Sequence, residues 1–179
     1  MIRTATLVAV TLFAALTCFV ADPTVAAEKE SKRVKPQVFL EYDKLPAGGK
    51  CRVMMEIQIE ESWHINANKP GIEDLIPTTF TVKSEQGVKL TDIKYPKHEL
   101  INMEGVGTVN VYEGKIRIYG TLEVPASAAQ SVDKLQLTVN YQACTEKFCE
   151  RPDKATIEGK IPVAASINDV KKKNEELFK

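Results

Sequence analysis

From Lys50 to Ile59 the chain alternates, with Cys51, Val53, Met55, Ile57 and Ile59 on one side and Lys50, Arg52, Met54, Glu56 and Gln58 on the other. A side-chain period of two is the mark of a strand with one buried face, and no helix gathers those positions onto one side. Cys51 therefore points inward as a small core residue, the usual fate of a free cysteine. Comparable runs lie at residues 78–82, 88–95, 115–124, 135–143 and 155–163. Turn clusters separate them at Gly48-Gly49, Ser84-Glu85-Gln86-Gly87, Gly105-Val106-Gly107, Tyr112-Glu113-Gly114 and Pro125-Ala126-Ser127. About seven short strands with frequent turns predict an all-β chain folded as an antiparallel sandwich. Residues 166–179 are highly charged, and Ile167, Val170, Asn174 and Leu177 would share one side of a short C-terminal helix or tail. No internal repeat or low-complexity tract interrupts this pattern.

The N-terminus reads as an export signal. Arg3 precedes an apolar run from Leu7 to Val20, and Val25 and Ala27 place a cleavage site after Ala27. The run is about fourteen residues, short of the roughly twenty needed to span a bilayer, so secretion is favoured over anchoring. Lipidation at Cys18 is disfavoured by Thr17, where a small residue is usual. Residues 28–36 are charged, end in Pro36 and read as a flexible leader, so the folded domain is expected over 37–165. About 150 residues remain after cleavage, enough for one domain with a real core. With 24 basic and 24 acidic residues the chain is neutral, and cleavage removes one of each, Arg3 and Asp22. That balance offers no electrostatic footprint for nucleic acid or an anionic membrane. No second apolar stretch of spanning length follows.

Cys144 and Cys149 stand in the run Tyr141-Gln142-Ala143-Cys144-Thr145-Glu146-Lys147-Phe148-Cys149-Glu150-Arg151-Pro152. In an oxidising compartment such a pair either locks as a staple or cycles as a redox couple. The flanking strands predict a hairpin with the two cysteines opposed near its tip, close enough to bridge. A six-residue loop gains only about 2 kcal/mol from closure, which is little for a domain of this size. Glu146 and Glu150 would raise a thiol pKa while Lys147 and Arg151 would lower it, so local charge leaves staple and couple both open. Zinc is disfavoured, because two thiolates plus His64 or His98 lack the paired spacing of structural sites. Ser62 and His64 do not form a recognised hydrolytic constellation.

Trp63-His64-Ile65-Asn66-Ala67-Asn68-Lys69-Pro70-Gly71, running to Leu75-Ile76-Pro77-Thr78, is the other unusual segment. Alone it reads as a core tryptophan followed by a polar turn with a hydrogen-bonded histidine.

Taken together, Trp63 to Asn68, Leu75-Ile76-Pro77-Thr78, Val111-Tyr112-Glu113-Gly114, Tyr141-Gln142-Ala143-Cys144 and Phe148-Cys149 resemble the periplasmic N-terminal domain of the thiol:disulfide interchange protein DsbD. The resemblance runs from about Val38 to Val163. It implies an immunoglobulin-like sandwich acting in the periplasm as a protein-disulfide reductase component, with no metal or organic cofactor. Its implied partners are thioredoxin-like proteins, including those of cytochrome c maturation, and disulfide isomerases. Matched by position, Cys149 would form the mixed disulfide with a partner and Cys144 would resolve it. Trp63, His64, Asn66, Tyr141, Gln142, Phe148 and Pro152 would flank the pair. A cap loop is implied over Asn102-Met103-Glu104-Gly105-Val106-Gly107-Thr108-Val109, with Gly105 and Gly107 as hinges. That loop carries no aromatic residue, which leaves Met103 or Val106 to shield the sulfurs, and His64 and Asn66 stand where family members can carry tyrosines. Because the family protein continues into membrane and thioredoxin-like domains beyond the equivalent of Lys179, a separate membrane electron donor is expected. The competing expectation is a non-enzymatic binding or scaffold sandwich with an inert disulfide.

Overall fold

The computed structural model describes residues 33–179, so the expected signal peptide, Cys18 and most of the expected leader lie outside the described residues. The alternating run forms the strand it predicts, β3 (Lys50–Ile59), with Cys51, Val53, Met55, Ile57 and Ile59 all at most 1% exposed. In chain order the other strands are β1 (Val34–Leu40), β2 (Leu45–Pro46), β4 (His64–Asn66), β5 (Thr79–Ser84), β6 (Lys89–Lys94), β7 (Glu99–Met103), β8 (Gly107–Glu113), β9 (Lys115–Glu123), β10 (Val132–Tyr141), β11 (Ala143–Cys144) and β12 (Asp153–Ala164).

They assemble into three sheets, ordered β1-β3-β9-β6, β2-β12-β10-β5 and β11-β4-β8-β7. All pairings are antiparallel except the short β2–β12 contact. The inner residues of the first two sheets, among them Val53, Ile57, Ile118, Leu122, Leu137 and Val139, form one continuous core, which makes the fold an all-β sandwich. Tyr112 and Ile65 of the third sheet close its end. The third sheet thus turns one face to the main core and is left with a second face on which a site can be built.

Three parts of the chain differ from the sequence expectation. The fold begins earlier than Gln37: Val34 is buried and opposes Ile59, so the last residues of the expected leader belong to β1. Pro36 fits there because β1 is an edge strand, where a missing N–H costs no ladder bond on the open side. Met54, on the outward side of β3, is fully buried, and its cross-strand partner Tyr119 stacks edge-on against Phe178. The expected C-terminal helix is replaced by two single 3-10 turns, Ile167–Asp169 and Glu175–Leu177. Between them Lys171 and Lys173 exchange backbone hydrogen bonds with Asp43 and Glu41, and Asn174 takes a left-handed conformation. Tertiary pairing and burial of Phe178 outweigh the weak helical preference of a short charged segment.

Arg52 ties this tail to the sandwich. It donates to the Phe178 carbonyl, lies over the Phe178 ring and forms a 2.8 Å ion pair with the nearly buried Glu41. The Arg52 hydrogen bond holds the Glu41 carboxyl below the usual carboxylate range. A depressed folded-state pKa contributes stability above the unfolded value near 4.3 and loses it as pH falls through the folded value. Arg52→Ala is therefore expected to cost about 1 kcal/mol at pH 7 and less below about pH 3, where only its Phe178 contacts are left to lose, with faster amide exchange across residues 171–178. Urea unfolding at the two pH values, read with hydrogen exchange, checks this.

Candidate functional site

The third sheet positions the cysteines. Cys144 ends β11 directly opposite His64 of β4, and His64 in turn opposes Glu113 of β8. Cys144 and Cys149 form a disulfide across an isolated antiparallel bridge, with α-carbons 4.0 Å apart. The four residues between them make a tight turn. Thr145 N–H donates to the Phe148 carbonyl at 2.9 Å, the N–H groups of Lys147 and Phe148 reach Thr145 Oγ1, and Glu150 N–H returns to the Ala143 carbonyl. This is the hairpin tip expected from the spacing, since β10 and β12 pair down to Tyr141 and Asp153.

The two sulfur-bearing residues differ in access. Cys144 is fully buried, in a cluster with Met103, Val109 and Val111. Cys149 is only partly buried, at the rim of that cluster beside Ile72, Leu75 and Ile101. Next to it Phe148 is 56% exposed and stacks edge-on against Trp63, ring centroids 5.7 Å apart. Arg33 lies 3.9 Å over the Trp63 ring and clamps Glu150 and Glu60 at 2.7 and 2.8 Å. An aromatic and guanidinium stack therefore braces the exposed side of the cysteine turn.

A second brace is polar. Asn66 is fully buried and its Nδ2 donates to the Ile76 carbonyl and to Gln142 Oε1, at 3.0 and 3.2 Å. Gln142 Nε2 donates to the Glu150 carbonyl, and Thr78 Oγ1 donates to the Asn66 carbonyl. These bonds link the segment after β4 to the residue that follows Cys149. His64 is 4% exposed, and its Nε2 has no hydrogen-bond partner among the described residues. Burial pushes the His64 imidazole below its ordinary pKa, against an opposing pull from the Glu146 carboxylate.

His64 thus opposes Cys144 and Phe148 adjoins Cys149, while Trp63 stacks on Phe148 and Asn66 and Gln142 brace the residue after Cys149. Tyr141 instead packs in the main core, because strand alternation turns it away from the Cys144 side. Pro152 is exposed and leads into β12. Residues 102–109, expected as a cap loop, form a hairpin: Met103 ends β7, Glu104 and Gly105 lie in the turn, and Gly107 begins β8. Gly105 and Gly107 adopt φ of +74° and +109°, which the turn requires. Met103 walls the Cys144 cluster, whereas Val106 is 45% exposed at the tip. Sequence reasoning missed Ile72, Leu75 and Arg33. The first two were visible as apolar positions in a polar loop, while Arg33 carried no signal.

Cys51 is free and far from this chemistry in character: burial pushes its thiol up to about 11, so it stays protonated at neutral pH. Among the described residues no three His, Cys, Asp or Glu side chains are grouped to hold a metal ion, and no helix is long and apolar enough to cross a membrane.

Residues 33–161 match the family model described as the N-terminal part of the thiol:disulfide interchange protein DsbD. Among solved structures, the N-terminal periplasmic domain of ScsB from Proteus mirabilis is similar at 10% identity with a TM-score of 0.53, covering 85% of this chain and 53% of that one. The chain thus spans about half the length of that ScsB domain, and the likeness supports the sandwich fold. The reduced N-terminal domain of Neisseria meningitidis DsbD is similar at 15% identity and TM-score 0.42, covering 70% of this chain and 89% of that one. No curated protein matches the chain. With a disulfide at the tip of its last hairpin, and a family match that extends across nearly all the described strands, this chain belongs to the DsbD N-terminal domain family.

Proposed function

We propose that the protein is a periplasmic thiol-disulfide exchange module in which Cys149 exchanges with partners and Cys144 resolves. The observation that carries this reading is the asymmetry of the disulfide, one half buried at the bottom of an apolar cluster and the other at its rim. Thiol-disulfide exchange requires in-line access to one sulfur only. In the reduced protein the Cys149 thiolate attacks a partner disulfide. A Cys149–partner bond forms, the partner S–S bond breaks, and one partner sulfur leaves as a thiolate. Cys144 then attacks Cys149 Sγ, the mixed disulfide breaks, and the second partner sulfur leaves reduced. Two electrons pass to the partner and the Cys144–Cys149 bond is restored. Recharging runs the same steps backward from an electron-donating thiol pair.

The exposed Phe148, on its Trp63 and Arg33 brace, supports docking of a thioredoxin-like or disulfide-isomerase partner around Cys149. The export signal supports a periplasmic location. Equilibration with dithiothreitol or glutathione buffers, followed by thiol alkylation, tests the reading. A Cys144–Cys149 couple that reduces above about −300 mV is expected, and one that resists the glutathione pool would assign the disulfide to an inert staple.

A further inference from the structure

Resting on that exchange reading, we propose that His64 is the proton acceptor for the Cys144 thiol in the step that reforms the disulfide. Cys144 must lose its proton to attack, yet it sits fully buried among Met103, Val109 and Val111, where a bare thiolate is poorly solvated and hydroxide has no path. The residue directly across the ladder from it is a histidine, and side chains of directly opposed antiparallel residues have β-carbons about 5 Å apart. That imidazole is 4% exposed and presents a buried Nε2 without a hydrogen-bond partner among the described residues. A buried nitrogen left unpaired costs stability, which a purely structural histidine would avoid by bonding to the backbone.

The electrostatic surroundings suit a base. The titratable groups around His64 are Cys144 on β11, the exposed Glu113 on β8, and Glu146 in the cysteine turn. Burial keeps the imidazole below its ordinary pKa and hence neutral at pH 7, while Glu146 steadies the imidazolium once formed. The proton then moves from Cys144 Sγ to His64 Nε2 as Cys144 Sγ bonds to Cys149 Sγ and the partner leaves as a thiolate. His64 then releases that proton to solvent, and when a donor thiolate attacks Cys149 the same path runs in reverse, with His64 taking a proton from solvent and passing it to the departing Cys144 sulfur.

Reaction of the reduced protein with dithiobis(nitrobenzoate) separates the steps, because attack by Cys149 releases one coloured thiolate and resolution by Cys144 releases the second. In the wild-type protein the second phase should stay level with pH down to the His64 pKa, below about 6.5, and fall beneath it. In His64→Gln it should slow at least about tenfold at pH 7 and decline steadily below the thiol pKa, while the first phase stays within about twofold. A second phase in His64→Gln that matches wild type in rate and pH profile would overturn the proposal and leave the exchange reading intact. Absence of the first phase in the wild-type protein would remove the exchange reading and this proposal with it. Should His64→Gln fail to fold, Glu146→Gln decides: its second-phase inflection should move to lower pH, and one that stays in place overturns the assignment.

Discussion

Cys144→Ser should accumulate a covalent adduct with an oxidised thioredoxin-like protein, and Cys149→Ser should form none. With Cys144 gone, attack by Cys149 proceeds to the mixed disulfide and stops, because the sulfur that would displace the partner is missing. An intramolecular thiol held beside its target acts at a very high effective concentration, so its loss should lengthen the adduct's life by about a thousandfold or more. In Cys149→Ser the remaining thiol lies under Met103, Val109 and Val111, out of a partner's reach. The adduct is read by mass spectrometry and non-reducing electrophoresis after mixing. Both variants should fold: the six-residue loop contributes about 2 kcal/mol, and a serine hydroxyl at the Cys144 position adds about 1 to 2 kcal/mol of desolvation. The core of the first two sheets does not depend on either. Adducts from Cys149→Ser, with none from Cys144→Ser, would reverse the assigned roles.

How far the sequence foretold this site depends on how local each contact is. The inner face of β3 was legible because all five of its residues are buried against one core, whereas Met54 on the outer side is buried as well and breaks the alternation. The cysteine hairpin was legible for a different reason, since its flanking strands pair with each other and the link is covalent. The cap loop expected over 102–109 is instead the hairpin that joins β7 to β8. Leu100 of β7 is 67% exposed, so the outward side of that strand carries an apolar residue and blurs the alternation, while Gly105 and Gly107 drew the eye as hinges when they serve a hairpin turn. The wall around Cys144 was legible only in part. Met103 was proposed as a shield and does line the cluster, but Ile72 and Leu75 reach it from a segment with no periodicity at all. Arg33, more than a hundred residues from Glu150 in sequence, pairs with it only through the tertiary fold.

Asp133→Ala is expected to destabilise the sandwich by about 3 kcal/mol, although Asp133 lies far along β10 from the cysteine turn. The carboxylate is fully buried on β10 and accepts three hydrogen bonds, from Ser84 Oγ at 2.7 Å and from the N–H groups of Glu85 and Gln86 at 2.9 and 3.1 Å. Ser84 Oγ in turn accepts from the N–H of Gln86 and Val88. Together they hold the turn between β5 and β6, the point at which the chain leaves one sheet for the other. Alanine would take the acceptor from the Glu85 N–H and the Ser84 hydroxyl and leave a gap at a fully buried position, each lost bond costing about 1 kcal/mol or more. Asp133→Asn keeps one acceptor oxygen and the shape, so it should cost about 1 kcal/mol. The check is urea unfolding, where the midpoint should fall in that order with the slope unchanged. A loss below about 1 kcal/mol in the alanine variant would mean that water or a shifted turn satisfies those donors, and that the crossover holds by apolar packing alone.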